Sequence, residues 1–199
     1  MAPGSDRAPL ERERIIAEAR DLIRVGGLES LSLRRLAARL GVTAAALYAH
    51  VTDKRDLLRG VAEIELAKLA EAYVQDPDMD PVQRLREQAS AYIDHARAEP
   101  ELFRVMFLFP PQLPDSNVPT ESALPAATTA FALAQSAVVT AMRAGAIDCE
   151  DSLLTTFTLW AGIHGVATVL QLGFSLPPES EEQLRDEMID RLLAGYGVR

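Results

Sequence analysis

The stretch Leu31–Leu58, LSLRRLAARLGVTAAALYAHVTDKRDLL, decides how the chain folds. Leu33, Leu36, Ala37 and Leu40 recur at i, i+3, i+4 and i+7, which sets them on one apolar face of a short helix. Gly41 ends that helix, because a residue without Cβ enters the left-handed turn at little cost. Thr43 follows as an N-cap, and a second short helix from Ala44 turns Leu47 and Val51 toward the same core. Ala37 is small enough to let the two helices cross closely. Two short helices joined by a glycine-containing turn form a helix-turn-helix, whose second helix enters a DNA major groove.

Helical hairpins of every kind use a turn glycine, so the outward-facing residues carry the functional reading. Ser32, Arg34, Arg35, Thr43, Tyr48, His50 and Lys54 supply hydroxyls, cations and an aromatic ring, groups that contact phosphates and base edges. Ala44 and Ala45 are small enough for close approach and can meet thymine methyl groups. Lys54 follows Thr52-Asp53 at a new helix start, where free backbone N–H groups and the helix dipole favour a phosphate.

On these residues the stretch closely resembles the DNA-binding domain of the tetracycline-repressor (TetR) family. The pattern matches at Ser32, Arg34, Leu36, Ala37, Leu40, Gly41, Val42, Thr43, Leu47, Tyr48, His50, Lys54 and Leu57-Leu58. Val51 stands where the family usually carries phenylalanine, a core exchange that bears on packing rather than on function.

Outward from this unit, Glu11 to Val25 reads as a bracing helix with Ile15, Ile16, Ala19, Leu22 and Ile23 on one face, ended by Gly26-Gly27. Residues 1–10, rich in Pro, Ala, Gly and Ser, read as a disordered arm, with Arg7 able to reach a minor groove. The expected division is therefore an arm over 1–10, a helix-turn-helix domain over 11–57 and a second domain over 58–199. No breaker interrupts the pattern from Asp53 through Leu57, Leu58, Val61, Ile64, Leu66 and Leu69 to about Val74, so one helix is shared by both domains.

Charge follows the same division. Residues 1–60 hold 11 Lys and Arg against 8 Asp and Glu, and residues 61–199 hold 9 against 21, so +3 and −12 make up the net −9. An acidic body would approach DNA only by its basic end. The 199 residues suffice for a small plus a medium domain, and 48% hydrophobic with 25% charged residues is ordinary globular composition. The lone Cys149 excludes an internal disulfide and suits a reducing cytoplasm. No signal peptide is expected at the N-terminus, and polar interruptions such as Gln135, Thr155 and His164 argue against a bilayer-spanning run.

The rest of the chain reads as helices, with no strand-like alternation. Asp80-Pro81 opens one that runs to Glu99, with Leu85, Ala89, Tyr92, Ile93 and Ala96 inward. Pro100 starts a short helix, ELFRVMFLF, carrying Phe103, Met106, Phe107 and Phe109. Residues 110–120 hold four of the twelve prolines and read as a loop. Ser122–Ala144 and Asp148 to about Gly173 are the next two helices, the second spanning 26 residues, or about 39 Å. On it Leu153, Phe157, Trp160, His164 and Gln171 lie along one side, and Leu159, Ile163, Val166 and Leu170 along another. The last helix, opened by a Ser180/Gln183 capping box, carries Leu184, Met188 and Leu192. About nine helices in all are expected, an all-α fold with the helix-turn-helix domain followed by a helical bundle.

The pair LFRVMF and Trp160-Ala161-Gly162-Ile163-His164-Gly165 resembles the regulatory domain of the TetR subgroup named for a Trp-His-Gly motif. That resemblance implies a ligand-binding bundle whose last two helices pair with a second subunit. Tyr92, Phe103, Met106, Phe107, Phe131, Gln135, Phe157, Trp160 and His164 are then the candidates for the ligand site. Leu159, Ile163, Val166, Leu170, Leu184, Met188 and Leu192 are the candidates for the dimer interface.

Together these features point to a transcriptional regulator, a homodimeric repressor released from a near-palindromic double-stranded operator by a small apolar or aromatic effector. No cofactor, metal or membrane is called for. A helical ligand-binding or dimerisation protein without DNA contact would have no reason to gather Arg34, Thr43, Tyr48 and Lys54 on one surface. An enzyme would need a convergent nucleophile and base, and the three histidines, His50, His95 and His164, are scattered.

Overall fold

In the computed structural model, residues 10–198 are described except 75, 77, 112, 114–116, 118 and 120–122. The expected arm over 1–10, with Arg7, lies outside the described residues save for Leu10, and so does much of the expected loop at 110–120. Among the described residues the fold is all-α. Helix α1 (Arg12–Gly26) leads through a single 3-10 turn (Leu28–Ser30) into α2 (Leu33–Leu40), α3 (Ala44–Tyr48) and α4 (Lys54–Tyr73). Then come α5 (Pro81–Ala98), α6 (Pro100–Met106), α7 (Pro125–Arg143), α8 (Ser152–Leu170) and α9 (Pro178–Ala194).

Local signals place most of these starts. Ser32 Oγ accepts the Arg35 N–H at 3.2 Å and Thr43 Oγ1 accepts the Ala46 N–H at 3.2 Å, so both helices of the hairpin are capped by their own hydroxyls. Asp80 Oδ1 takes the N–H groups of Val82 and Gln83, and Asp151 Oδ1 those of Leu153 and Leu154. Gly41 closes α2 at φ 67°, the left-handed position that requires a residue without Cβ. Helix α7 has no cap of its own. Glu63 of α4 reaches across so that its Oε1 accepts the Ala126 N–H at 3.0 Å.

Four expectations need correction. The helix expected over 148–173 is shorter, because Asp151 caps it and it ends at Leu170. The Ser180/Gln183 capping box does not form, since Pro178 already occupies the first helical position and Ser180 lies inside the first turn. The helix expected from Ser122, itself outside the described residues, begins at Pro125. Helix α8 is also long and apolar enough, by length and composition, to match a bilayer span, contrary to the reading of its polar residues as interruptions. It lies against α5, α7 and α9.

One apolar core runs through the whole chain, from Ile15 and Leu36 to Ile189 and Leu193. Helix α4 is its spine, packing on α1 near its start and on α5, α6 and α7 beyond. Gly60 makes the first of these contacts possible, for a Cβ there would lie 2.5 Å from Ile16 Cδ1. Arg12 fastens the other end of α1. Its guanidinium donates to both carboxylate oxygens of Asp56, at 2.9 and 2.5 Å, and to the His50 carbonyl at 2.9 Å.

That pair sets an acid dependence. The Arg12 hydrogen bonds, acting against partial burial, hold the Asp56 carboxyl below the ordinary carboxylate range. A carboxyl with a depressed folded pKa contributes stability that is complete above its unfolded pKa, about 4, and is lost as pH falls through the folded value. In thermal melts from pH 7 to pH 2, Asp56→Asn should be less stable than wild type at pH 7, by about 1 kcal/mol. The difference should close as pH falls below the ordinary carboxylate range, through the depressed folded-state pKa. Parallel curves across that range would show that the pair contributes nothing.

Candidate DNA-reading surface and effector cavity

Of the residues expected to meet DNA, Ser32, Arg34, Arg35, Thr43, Ala44, Ala45 and Tyr48 are exposed on one end of the molecule. Tyr48 is 56% exposed, which an aromatic ring with an apolar body sustains only at a surface kept open. Ser32 and Thr43 use their oxygens as caps, yet each hydroxyl hydrogen stays available to donate to a phosphate. His50 is half-buried. Lys54 is half-buried as well, its Nζ donating weakly to the Leu28 carbonyl at 3.4 Å. At the start of α4 the Asp56 N–H is already taken by Asp53 at 2.8 Å, so fewer free donors remain there than the sequence suggests.

The second feature is a cavity of about 220 Å³ inside the bundle. Tyr92, Met106, Phe107, Phe131 and Trp160 line it, as expected of ligand-site residues. Leu66, Leu69 and Tyr73 of α4 and Leu85 and Gln88 of α5 line it too, and these were not foreseen. Phe103, Phe157 and His164 stand behind that lining as an aromatic cluster. Phe103 and Phe107 meet edge-on at 4.8 Å and Phe107 and His164 at 4.7 Å, while Phe131 and Phe157 lie tilted at 5.1 Å. Gln135, half-buried on α7, is not among the cavity residues.

A hydrogen-bond chain crosses the cluster. Trp160 Nε1 donates to Tyr92 Oη at 3.0 Å, and Tyr92 Oη meets His164 Nδ1 at 2.7 Å. Burial pushes the His164 imidazole below its ordinary pKa, which favours the neutral ring, and the tautomer sets which of Oη and Nδ1 donates. The Trp160 N–H and Tyr92 Oη are thus already engaged, with each other and with His164.

The residues expected at a dimer interface divide differently. Ile163 and Val166 are buried within the single chain, and Leu159, Ile163 and Leu192 line the cavity. Leu170, Leu184 and Met188 are half-buried against the core. The apolar side of α8 that stays open is instead Leu154, Thr158, Ala161, Gly165 and Val169, continued by Leu172 and Phe174. This open side is neither of the two read from the sequence, and of those two only Leu153 is exposed. Alpha-helical periodicity alone does not say which side meets α5 and α7.

Comparison with known proteins agrees with this architecture. Residues 15–61 match the bacterial regulatory proteins of the tetR family, and residues 85–192 match the tetracyclin repressor-like C-terminal domain. The chain belongs to the tetracycline-repressor family. The class C tetracycline repressor protein of Escherichia coli is 49% identical over 57 residues, 29% of this chain and 26% of that protein. The chain thus matches about a quarter of that relative's length. An uncharacterised HTH-type transcriptional regulator of Mycobacterium tuberculosis is 24% identical over 197 residues, covering 96% of this chain and 84% of that one.

Among solved structures, a protein of unknown function from Rhodococcus sp. RHA1 superposes with TM-score 0.77 at 25% identity, covering 98% of this chain and 99% of that one. A TetR variant from Acinetobacter baumannii AYE, solved with minocycline, superposes with TM-score 0.71 at 23% identity, covering 95% and 97%. At that identity the second likeness speaks for the fold alone.

Proposed function

We propose that the protein is a homodimeric repressor that reads a near-palindromic operator through α2 and α3 and is released by a small effector bound in the bundle cavity. The observation that carries this reading is α4. Its first turn holds Lys54 at the DNA-reading end, and its last turns put Leu66, Leu69 and Tyr73 into the cavity wall. A second connection runs through Phe109, which lines the cavity while the Arg55 guanidinium sits 5.0 Å over its ring. An effector that favours one arrangement of α4 shifts the spacing of two recognition helices, whose half-sites lie about 34 Å apart. A tenfold loss of operator affinity needs only about 1.4 kcal/mol of coupling.

DNA contact is tested by mobility shift on an operator found by genomic footprinting. Tyr48→Ala should weaken operator binding about tenfold or more. Lys54→Ala should weaken binding to every sequence to a similar degree and reduce the salt dependence by about one phosphate contact. Unchanged affinity in both variants would remove this surface from DNA recognition.

A further inference from the structure

The cavity that the proposed function assigns to an effector has an uneven chemistry. Among the described residues lining it there is no Asp, Glu, Lys, Arg or His. Most of its wall is hydrocarbon or aromatic, from Leu66, Leu69 and Met106 to Phe131, Val138 and Ile163. Its polar members are Tyr73, Gln88, Tyr92, Thr156 and Trp160. Three of these are already engaged. Trp160 donates to Tyr92, Tyr92 Oη is paired with His164 Nδ1, and the Thr156 hydroxyl donates to the Ser152 carbonyl at 2.7 Å.

The other two are not. Gln88 Nε2 donates to the Tyr73 carbonyl at 3.2 Å, which fixes the amide orientation and leaves Oε1 as an acceptor with no hydrogen-bond partner among the described residues. Tyr73 Oη likewise has no hydrogen-bond partner among them. Both side chains are more than nine-tenths buried, with relative exposures of 7% for Tyr73 and 6% for Gln88. The phenol stays protonated at any ordinary pH, because burial raises its pKa. Neither Gln88 Oε1 nor Tyr73 Oη is among the fully sealed unpartnered atoms of the described residues, so each keeps some accessible surface. Both side chains border the cavity, with the Gln88 amide held on the Tyr73 main-chain carbonyl, and they are the polar points of an otherwise apolar chamber.

We propose that the effector is an uncharged molecule with an aromatic or hydrocarbon body and one hydroxyl- or amide-type group, and that this group pairs with Gln88 Oε1 and Tyr73 Oη. The inference rests on the effector reading and narrows it to a ligand class. A carboxylate or an ammonium ion of the same shape would lose its hydration and meet no opposite charge, so the cavity rejects it. An unsubstituted hydrocarbon fits but leaves both protein groups unpaired. Tyr73 is on α4, so the hydrogen bond engages the same helix that begins at Lys54.

The test uses the full chain and three bicyclic probes of nearly equal size, namely 2-naphthol, naphthalene and 2-naphthoate, with binding measured by calorimetry and by shift in melting temperature. Wild type should bind 2-naphthol about tenfold more tightly than naphthalene and about 100-fold more tightly than 2-naphthoate. Tyr73→Phe and Gln88→Leu, both of conserved shape, should each weaken 2-naphthol about tenfold and leave naphthalene within about threefold of wild type. Binding of 2-naphthoate as tight as that of 2-naphthol overturns the inference while the effector cavity stands. Equal losses of naphthol and naphthalene in both variants do the same. If none of the three probes binds, the effector reading itself falls, and the ligand class with it.

Discussion

Replacing Arg20 with methionine should lower the stability of the protein by about 3 kcal/mol, the scale expected when one partner of a buried ion pair is removed. Glu65 is completely buried on α4, at the place where α1, α4 and α5 meet. Arg20 Nε donates to Glu65 Oε1 at 2.5 Å and Lys68 Nζ donates to the same atom at 3.0 Å, while His95 Nε2 lies 3.5 Å from Oε2. Burial works to raise the Glu65 pKa, but the Arg20 and Lys68 hydrogen bonds outweigh it and keep the carboxyl ionised. The His95 pKa is pushed down, chiefly by burial, so it supplies no compensating charge at neutral pH. Without Arg20 the buried carboxylate keeps only Lys68, whose side chain is 45% exposed and weakly held. Thermal melts at fixed protein concentration should show a drop of about 6–12 °C. The double variant Arg20→Met, Glu65→Leu should recover most of the loss, because both charges are then gone. A single-variant loss under about 0.5 kcal/mol would mean that water screens the pair.

A comparable loss, this time of operator affinity, is expected from Ala161→Arg. Only 28% of the apolar stretch of α8 is buried inside one chain, and Ala161 stands on the open side between Leu154, Thr158 and Gly165. A guanidinium there costs the isolated chain little, since the position already faces solvent. In a dimer closed over that side it would be desolvated without a partner, at a cost of several kcal/mol. Sedimentation at micromolar concentration should show monomer, with unchanged helical content by circular dichroism. Operator affinity should fall about 100-fold or more as the two half-sites cease to be bound together. A variant that stays dimeric would place the subunit contact elsewhere.

The helix-turn-helix was legible in the sequence because each of its signals is local. Ser32, Gly41, Thr43 and Asp53 act on their own backbone neighbourhoods, and their spacing alone sets the hairpin. The cavity was half legible. Trp160 and the phenylalanines announce themselves by type, but a satisfied Tyr92 and an unsatisfied Tyr73 look alike until the helices are packed. Glu65 offered a usable signal. It lies four residues after Val61 and four before Leu69, so an acidic side chain interrupts an inward-facing stripe and has to find partners there. The outward side of α8 was not legible at all. Its residues are as apolar as those on the buried side, and only the positions of α5, α7 and α9 decide between them.

Helix α4 also fixes the size of any signal the protein can send. From Lys54 to Tyr73 it is a rod of about 28 Å. A tilt of about 5° around its cavity end swings the other end through about 2.5 Å, several times the roughly 0.5 Å range over which an N–H···O hydrogen bond holds. The amplitude grows with length, so each turn removed from the rod would take away about a fifth of the stroke. Deleting four residues of α4 between Gly60 and Leu66 would also rotate its two ends relative to each other by about 40°. In the proposed reading, the operator end and the effector end are therefore geared at one ratio. Residues of the cavity wall are free to change with the ligand, whereas the length of the rod is not.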